Sequence, residues 1–401
     1  MALLDTLIFA PSPCGFPKPR APLLPTGLDG IGLHPPAPWA PSINFRHYTR
    51  GRYALRDAYR LAGLGPGAAL LAPAYHCRTM IDPAIALGGE ALLYPLNADL
   101  SPDMAAIENL ADHSPAPVKV LLATHFFGFA QALAPLAGWC AKRGIILIED
   151  GSHSLFCRHY QPDGIGRHGR FVVSSPYKFM PSPDGGLLYA RTPAALPAEP
   201  PAAPGWMDEL RGVARQKDKA AEHRRQRRTL AASLPGAPAS VPMAAVDRRE
   251  SAGCSPDYHR EEENTASLRL SRWLYTHPDI EHISRSRRAN YQRWTEATRN
   301  RPGLRPLYPT LPANTIPYMF PLLIDAPETQ FFTLKYQGLP IWRWDSMVAS
   351  TCPVATDYRL RLLHLPCHQS LSIEELDWMI AAVQKVGAGK TVPYGPDSLC
   401  R

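Results

Sequence analysis

The chain is predicted to adopt an α/β architecture built on a largely parallel sheet, and three observations point to it. Short apolar runs alternate with helical segments from residue 51 to about 190. Two of these runs, "VKVLLATH" and "IILIED", are rich in Val, Ile and Leu, as strands covered on both faces must be. Gly- and Pro-containing turns separate the segments, so right-handed crossovers can lay each strand parallel to the last.

"GRYALRDAYRLAGLGPG" puts Leu55, Ala58, Tyr59 and Ala62 on one stripe and stops at Gly-Pro-Gly, which predicts the first helix. A strand "ALLA" and the turn "PAYHC" lead into a helical "TMIDPAIALG". "EALLYPLN" predicts a strand, and "SPDMAAIENLADH" a helix capped by Ser101. The buried strand "VKVLLATH" follows, then a helix "QALAPLAGWCAKRG" ending at Gly144, then "IILIED". "RFVVS" and "GGLLYA" predict strands on either side of "SSPYKFMPSPDGG". Residues 190–260 break the pattern with a Pro/Ala-rich stretch and one basic helix. Helices return at "ENTASLRLSRWLYTH" and "ISRSRRANYQRWTEATRNRPG". The expected division is a Pro-rich arm over 1–45, a large domain over 46–300 with the 190–260 excursion, a small α+β domain over 301–390 and a tail over 391–401. The small domain is read from "PYMFPLLID", "TQFFTLKYQG", "LRLLHLP" and a helix "SIEELDWMIAAVQKV" capped by Ser372.

With 45% hydrophobic and 19% charged residues over 401 positions, the chain can bury a large core. Ten of its 44 prolines fall within residues 1–45, which predicts an extended, poorly ordered opening. No basic segment precedes "ALLDTLIFA" and no apolar run approaches the ~20 residues that span a bilayer, so a cytoplasmic location without membrane insertion is expected. Eight cysteines, at 14, 77, 140, 157, 254, 352, 367 and 400, form no CxxC pair, which predicts reduced thiols and no zinc site. The net charge of +8 is concentrated: Arg211–Arg228 holds eight Lys/Arg against Asp218 and Glu222. Such a run attracts an anionic partner, or is simply a solvated helix face, the plainer reading; no nucleic-acid module accompanies it.

The chemistry gathers where strands end. Lys178 is a lone cation in the turn-forming "SSPYKFMPSPDGG", at the tip of a buried sheet, where an ammonium costs several kcal/mol unless paired or neutralised. A lysine that forms a Schiff base escapes most of that cost. Asp150 ends the strand "IILIED", with His153 three residues on. Taken alone, Asp150 is open to several roles: nucleotide ligand, metal ligand, partner of a cationic ring or turn cap. No second carboxylate or histidine at ligand spacing, apart from His153, supports a metal. Lys178 follows Asp150 by 28 residues, about one loop and one strand, so both can face one pocket. That pair suits pyridoxal phosphate, the lysine as the covalent anchor and the carboxylate keeping the ring nitrogen protonated. Once freed, the same lysine can move the substrate proton.

From about Gly51 to Tyr189 the sequence resembles the DegT/StrS group of pyridoxal-phosphate-dependent sugar aminotransferases. The landmarks are "GRYAL", "PAYHC", "HFFGFAQALAPLAGWCAKRGIILIEDGSHS" and "SSPYKFMPSPDGG", with "LHLPCHQSLSIEELDWMIAAV" near the end. The resemblance implies fold type I, Lys178 as the Schiff-base residue and Asp150 as the partner of the pyridinium. It sets His153 near the ring hydroxyl, and Gly51 and Arg52 at a helix start that would hold the phosphate. Ser175, rather than Ser174, is taken as the phosphate-binding serine. Cys77 occupies the position where relatives place an aromatic over the ring, with Tyr75 as its replacement. Asn264 resembles an asparagine that reaches the phosphate from a partner subunit, so a homodimer is expected. Trp342 and Trp344 read as small-domain core or as the substrate mouth, and His125 and His368 as supports of the sheet edge.

The function so implied is transfer of an amino group from glutamate to a nucleotide-linked keto-sugar, in polysaccharide or glycan synthesis. A same-fold enzyme acting on a non-sugar substrate is one alternative, and a non-catalytic protein that binds a nucleotide sugar is another. Deoxysugar dehydration is disfavoured because that branch carries histidine at the position of Lys178.

Overall fold

The structure, a computed structural model, describes residues 4–10, 16–32, 44–154, 165–230, 246–251 and 253–387. Cys14, Cys157, Cys400 and the predicted tail lie outside them. The stretch Asp5–Ala10 is strand β1 and Phe45–Tyr48 is β2. Helix α1, Gly51–Leu61, buries the expected stripe together with Tyr53, and the Tyr48 hydroxyl donates to Asp57 at 2.6 Å. In order there follow β3 (Ala69–Pro73), α2 (Arg78–Ala86), β4 (Glu90–Tyr94), α3 (Met104–Asp112), β5 (Val118–Thr124), α4 (Ala134–Arg143) and β6 (Ile146–Asp150). Strands β7 (Phe171–Ser174) and β8 (Gly186–Ala190) flank the Lys178 loop. These strands form one seven-stranded sheet in the order β2-β8-β7-β6-β5-β3-β4. Strands β3 to β7 are parallel, and β8 and β2 add an antiparallel edge.

Helix α3 starts later than expected. Its cap is Asp103, which accepts the Ala106 N–H at 3.1 Å, while the Ser101 hydroxyl donates back to Asp99. Helix α4 ends as predicted, with Gly144 at φ 67°.

The excursion contains the basic helix α5, Trp206–Leu230, and a strand β9, Val246–Ser251. Helix α5 is only partly solvated. His223 is buried between Thr26 Oγ1 (2.6 Å) and Glu375 Oε1 (2.7 Å), and Arg227 donates to the Ser370 carbonyl, whereas Arg224, Arg225 and Arg228 are exposed. Helices α6 (Arg269–Thr276) and α7 (Ile280–Thr298) follow.

Strands β10 (Leu304–Pro306), β11 (Met319–Ile324) and, after β12 (Met347–Val348), β13 (Leu362–Pro366) come next, together with helices α8 (Pro327–Tyr336), α9 (Pro353–Arg361) and α10 (Ile373–Gly387). A small antiparallel sheet runs β10-β11-β13. Ser372 caps α10 through a reciprocal pair with Glu375.

The opening arm differs from expectation. Its strand β1 sits between β9 and β12, in register Thr6↔Val348 and Thr6↔Glu250. Backbone pairing, which composition does not encode, orders a segment that its prolines suggest is loose.

Candidate active site

Lys178 closes a 3-10 turn, Pro176–Lys178, just after β7. Its carbonyl accepts a hydrogen bond from Arg287 Nη2 at 3.1 Å. Arg287 is itself fully buried and donates to Gln369 Oε1 and to the carbonyls of Pro317 and Tyr318. The loop is thereby tied to the turn before β11 and the loop after β13 by Arg287, whose pKa burial lowers to about 10. Lys178 Nζ lies 5.3 Å from the centre of the Tyr318 ring, and among the described residues no carboxylate pairs with it.

Asp150 ends β6, in register with Thr124 and Val173 on the neighbouring strands. It is 4% exposed; one carboxylate oxygen accepts the Ser152 N–H at 2.9 Å, and among the described residues no cation pairs with it. A buried carboxylate left so is costly, and a cationic partner would relieve it. His125 secures the strand end: its N–H donates to the Asp150 carbonyl, and its ring to the buried Glu149.

One cavity brings the predicted residues together, lined by Arg50, Gly51, Asp150, His153, Ser175 and Lys178 among others. Arg52 and Cys77 also face it. Gly51 opens α1, whose first N–H groups point where an anion would sit. A side chain there would run into Ser175 Oγ, which donates to Ser152 Oγ at 3.1 Å. His153 is buried, stacked on Tyr318 at 4.4 Å, and accepts the Phe127 N–H on Nδ1, which leaves its proton on Nε2. Burial, then the charges of Lys178 and His364, hold it well below the usual histidine range, so it is neutral.

Two expected residues lie elsewhere. Tyr75 is fully buried behind the cavity, its hydroxyl 2.9 Å from His364 Nε2 and its ring 5.0 Å from Trp344. Asn264 is exposed, in a loop whose Thr265 carbonyl accepts the Thr49 N–H, and it does not line the cavity. Ser174 bonds weakly to the Gly151 carbonyl. Residues not singled out in the sequence also line the cavity: Arg50, Ser152, Thr79 and Tyr177. Arg50 adjoins Gly51 in "TRGR", the one hint available; its guanidinium lies 5.4 Å from the Tyr177 ring. Trp344, 8% exposed, walls this cavity and a second, larger one.

A lone buried carboxylate, a lysine without an acidic partner and a helix N-terminus in one cleft fit pyridoxal phosphate. Asp150 would face the ring nitrogen, Lys178 would carry the covalent bond, and Gly51, with Ser175, would hold the phosphate. Comparison with known proteins points to the same cofactor. Residues 48–196 match the model of the DegT/DnrJ/EryC1/StrS aminotransferase family. That segment runs from the end of β2 to just past β8, and so contains Lys178 and Asp150.

A curated relative, the 3-amino-5-hydroxybenzoate synthase of Amycolatopsis mediterranei (strain S699), is 28% identical over 142 residues, covering 35% of this chain and 36% of that protein. The chain thus matches about a third of that relative's length. Among solved structures, Helicobacter pylori PseC, an aminotransferase involved in pseudoaminic acid biosynthesis, superposes with TM-score 0.59 at 13% identity, over 92% of this chain and 98% of that one. NtdA of Bacillus subtilis, solved with bound cofactor PMP, gives 0.55 at 14%, over 86% and 73%. The fold is the fold-type-I aminotransferase fold, with its large, mostly parallel sheet.

Proposed function

We propose that this protein is a pyridoxal-phosphate-dependent aminotransferase that moves the amino group of glutamate to a ketone on a cyclic small molecule, the nucleotide-linked keto-sugar expected from the sequence among them. The observation that carries the reading is the pairing of Lys178 and Asp150, each without an ionic partner among the described residues, in one cavity at the N-terminus of α1. Bound there, the cofactor would supply an electron sink for the bond broken at the substrate α-carbon. The chain's own residues would do the rest. Asp150 would hold a proton on the ring nitrogen by its charge, and Lys178 Nζ would take and return the α-proton. His153, held neutral, adds no positive charge beside Lys178 and can donate from Nε2. Arg50 and the α1 N–H groups would anchor the phosphate. Trp344 and Tyr318 would shield the reacting atoms from water.

A homodimer fits the solvent-facing side chain of Asn264, which is free to reach another copy. Five cysteines are free among the described residues, in keeping with a reducing cytoplasm. No helix of the described residues is long and apolar enough to cross a membrane.

The test is Lys178→Ala in purified, cofactor-treated protein. Wild type should acquire visible absorbance that glutamate bleaches. The variant should keep its thermal midpoint but lose the covalent bond to the cofactor, as read by mass spectrometry after borohydride reduction. A variant that still transaminates would overturn the assignment.

A further inference from the structure

A second cavity, of about 420 Å³, opens beside the first and shares Cys77, Thr79 and Trp344 with it. Apart from residues 77–79, its walls come from outside the family-matched segment: Thr6 and Ile8 of β1, the loop 253–257 and residues 342–346.

The two cavities differ in charge. The first is lined by Arg50, Arg52 and Lys178 against Asp150 alone. The second has two arginines and two aspartates, and both arginines are engaged. Arg78 bonds to Asp82 (3.1 Å), Thr6 Oγ1 (2.6 Å) and the Gly253 carbonyl. Arg343, 4% exposed, bonds to Asp345 (3.2 Å) and the Leu360 carbonyl (3.0 Å), with its guanidinium 3.6 Å from the Phe331 ring centre. A diphosphate entering this cavity would give up its hydration without meeting a spare cation. The cavity does offer flat apolar surface. Trp342 is 52% exposed, one of few large apolar side chains left open, and Trp344 stands two residues away on the wall shared with the first cavity. An indole face suits a ring that has apolar faces and a polar rim.

We propose that this second cavity binds the amino acceptor, and that the acceptor is an uncharged cyclic ketone, without phosphate, whose ring packs on Trp342 and whose carbonyl points through the gap between Cys77, Thr79 and Trp344 toward Lys178. The inference rests on the amino-transfer reading. In that reaction the acceptor loses its carbonyl oxygen and gains NH2 and H, while glutamate loses NH2 and H and gains the oxygen as 2-oxoglutarate. No further oxidant or reductant takes part.

The experiment separates the two claims. Bleaching of the cofactor-loaded wild type by glutamate tests the reading; absence of bleaching sinks the reading itself. If bleaching occurs, the bleached enzyme is offered either a hydroxylated cyclohexanone or a UDP-linked 4-keto-hexose. Colour should return with the uncharged ring, at a KM that is flat with salt. The nucleotide-linked ketone should do no better. Trp342→Ala should raise the KM for the cyclohexanone roughly threefold to tenfold with kcat little changed, and Trp342→Phe should restore it. Calorimetric titration of the same ketone into the three proteins should give the same ranking of Kd without turnover. A nucleotide-linked ketone preferred tenfold with a salt-sensitive KM, Trp342→Ala binding as wild type, or no ketone consumed despite bleaching would each overturn the proposal.

Discussion

Gly51→Ala adds one methyl group at the start of α1. That methyl would overlap Ser175 Oγ, and it would lie 3.6 Å from Ser152 Oγ. The cheapest relief is a rotation of Ser175 that breaks its 3.1 Å bond to Ser152, at about 1 kcal/mol for a neutral hydrogen bond. Alanine regains up to about 1 kcal/mol over glycine in a helix, so stability should change by less than about 1 kcal/mol. Anion binding should not escape so lightly. A displaced hydroxyl removes one hydrogen bond to a charged group, which contributes about 1.5–3 kcal/mol, or roughly a 10- to 150-fold rise in the cofactor's Kd. The assay pairs urea unfolding of the apo protein with cofactor titration by absorbance. On a Ser175→Ala background the same glycine replacement should cost nothing further, since the atom it strikes is gone. A Kd within twofold of wild type in the single variant would refute the cradle. So would a stability loss beyond about 2 kcal/mol, which would mean that the backbone, not a hydroxyl, had to move.

Other expectations follow from the same geometry. Asp150→Asn should bind cofactor yet lose about 3 kcal/mol of transition-state stabilisation, a hundredfold or more in glutamate-dependent bleaching, and near-normal rates would reduce Asp150 to a turn residue. Arg287→Met would strip donors from three buried oxygens and the part-buried Lys178 carbonyl and should cost about 3 kcal/mol or more in urea unfolding; a loss under about 1 kcal/mol would show the site can reorganise. Burial lowers His76 to about 4, and burial with the charges of Arg272 and Arg46 does the same for His47; burial, helped by Lys178 at His364, takes His364 and His368 to about 3. The unfolded chain takes up those protons near the usual 6.5, so this stability is whole above that pH and drains as pH falls toward 3–4, at about 1.4 kcal/mol per pH unit for each histidine. A urea midpoint flat from pH 7.5 to 5 would contradict it.

How much of this could be read beforehand divides along physical lines. The strands β5 and β6 announced themselves because Val120–Ala123 and Ile146–Ile148 are unbroken apolar runs covered on both faces, with polar residues only toward the strand ends. Lys178 stood out because a cation at such a strand end needs a reason. Tyr75 and Cys77 sit two residues apart in one turn, and only packing decides that the phenol turns inward, where His364 meets its hydroxyl, while the thiol faces the cavity. Strand β12 is two residues long and carries no periodicity at all. The second cavity was invisible for the same reason: its walls meet only through pairings hundreds of residues apart.

That last pairing has a consequence during synthesis. Strand β1 leaves the ribosome well before its nearest partner, β9, which begins about 240 residues later. At the usual 5–20 residues per second, "TLIFA" must wait on the order of tens of seconds with its backbone unpaired. Such an apolar strand is an aggregation hazard while it waits. A nascent chain stalled before Val246 should therefore recruit holdase chaperones that a chain released past Val348 no longer needs.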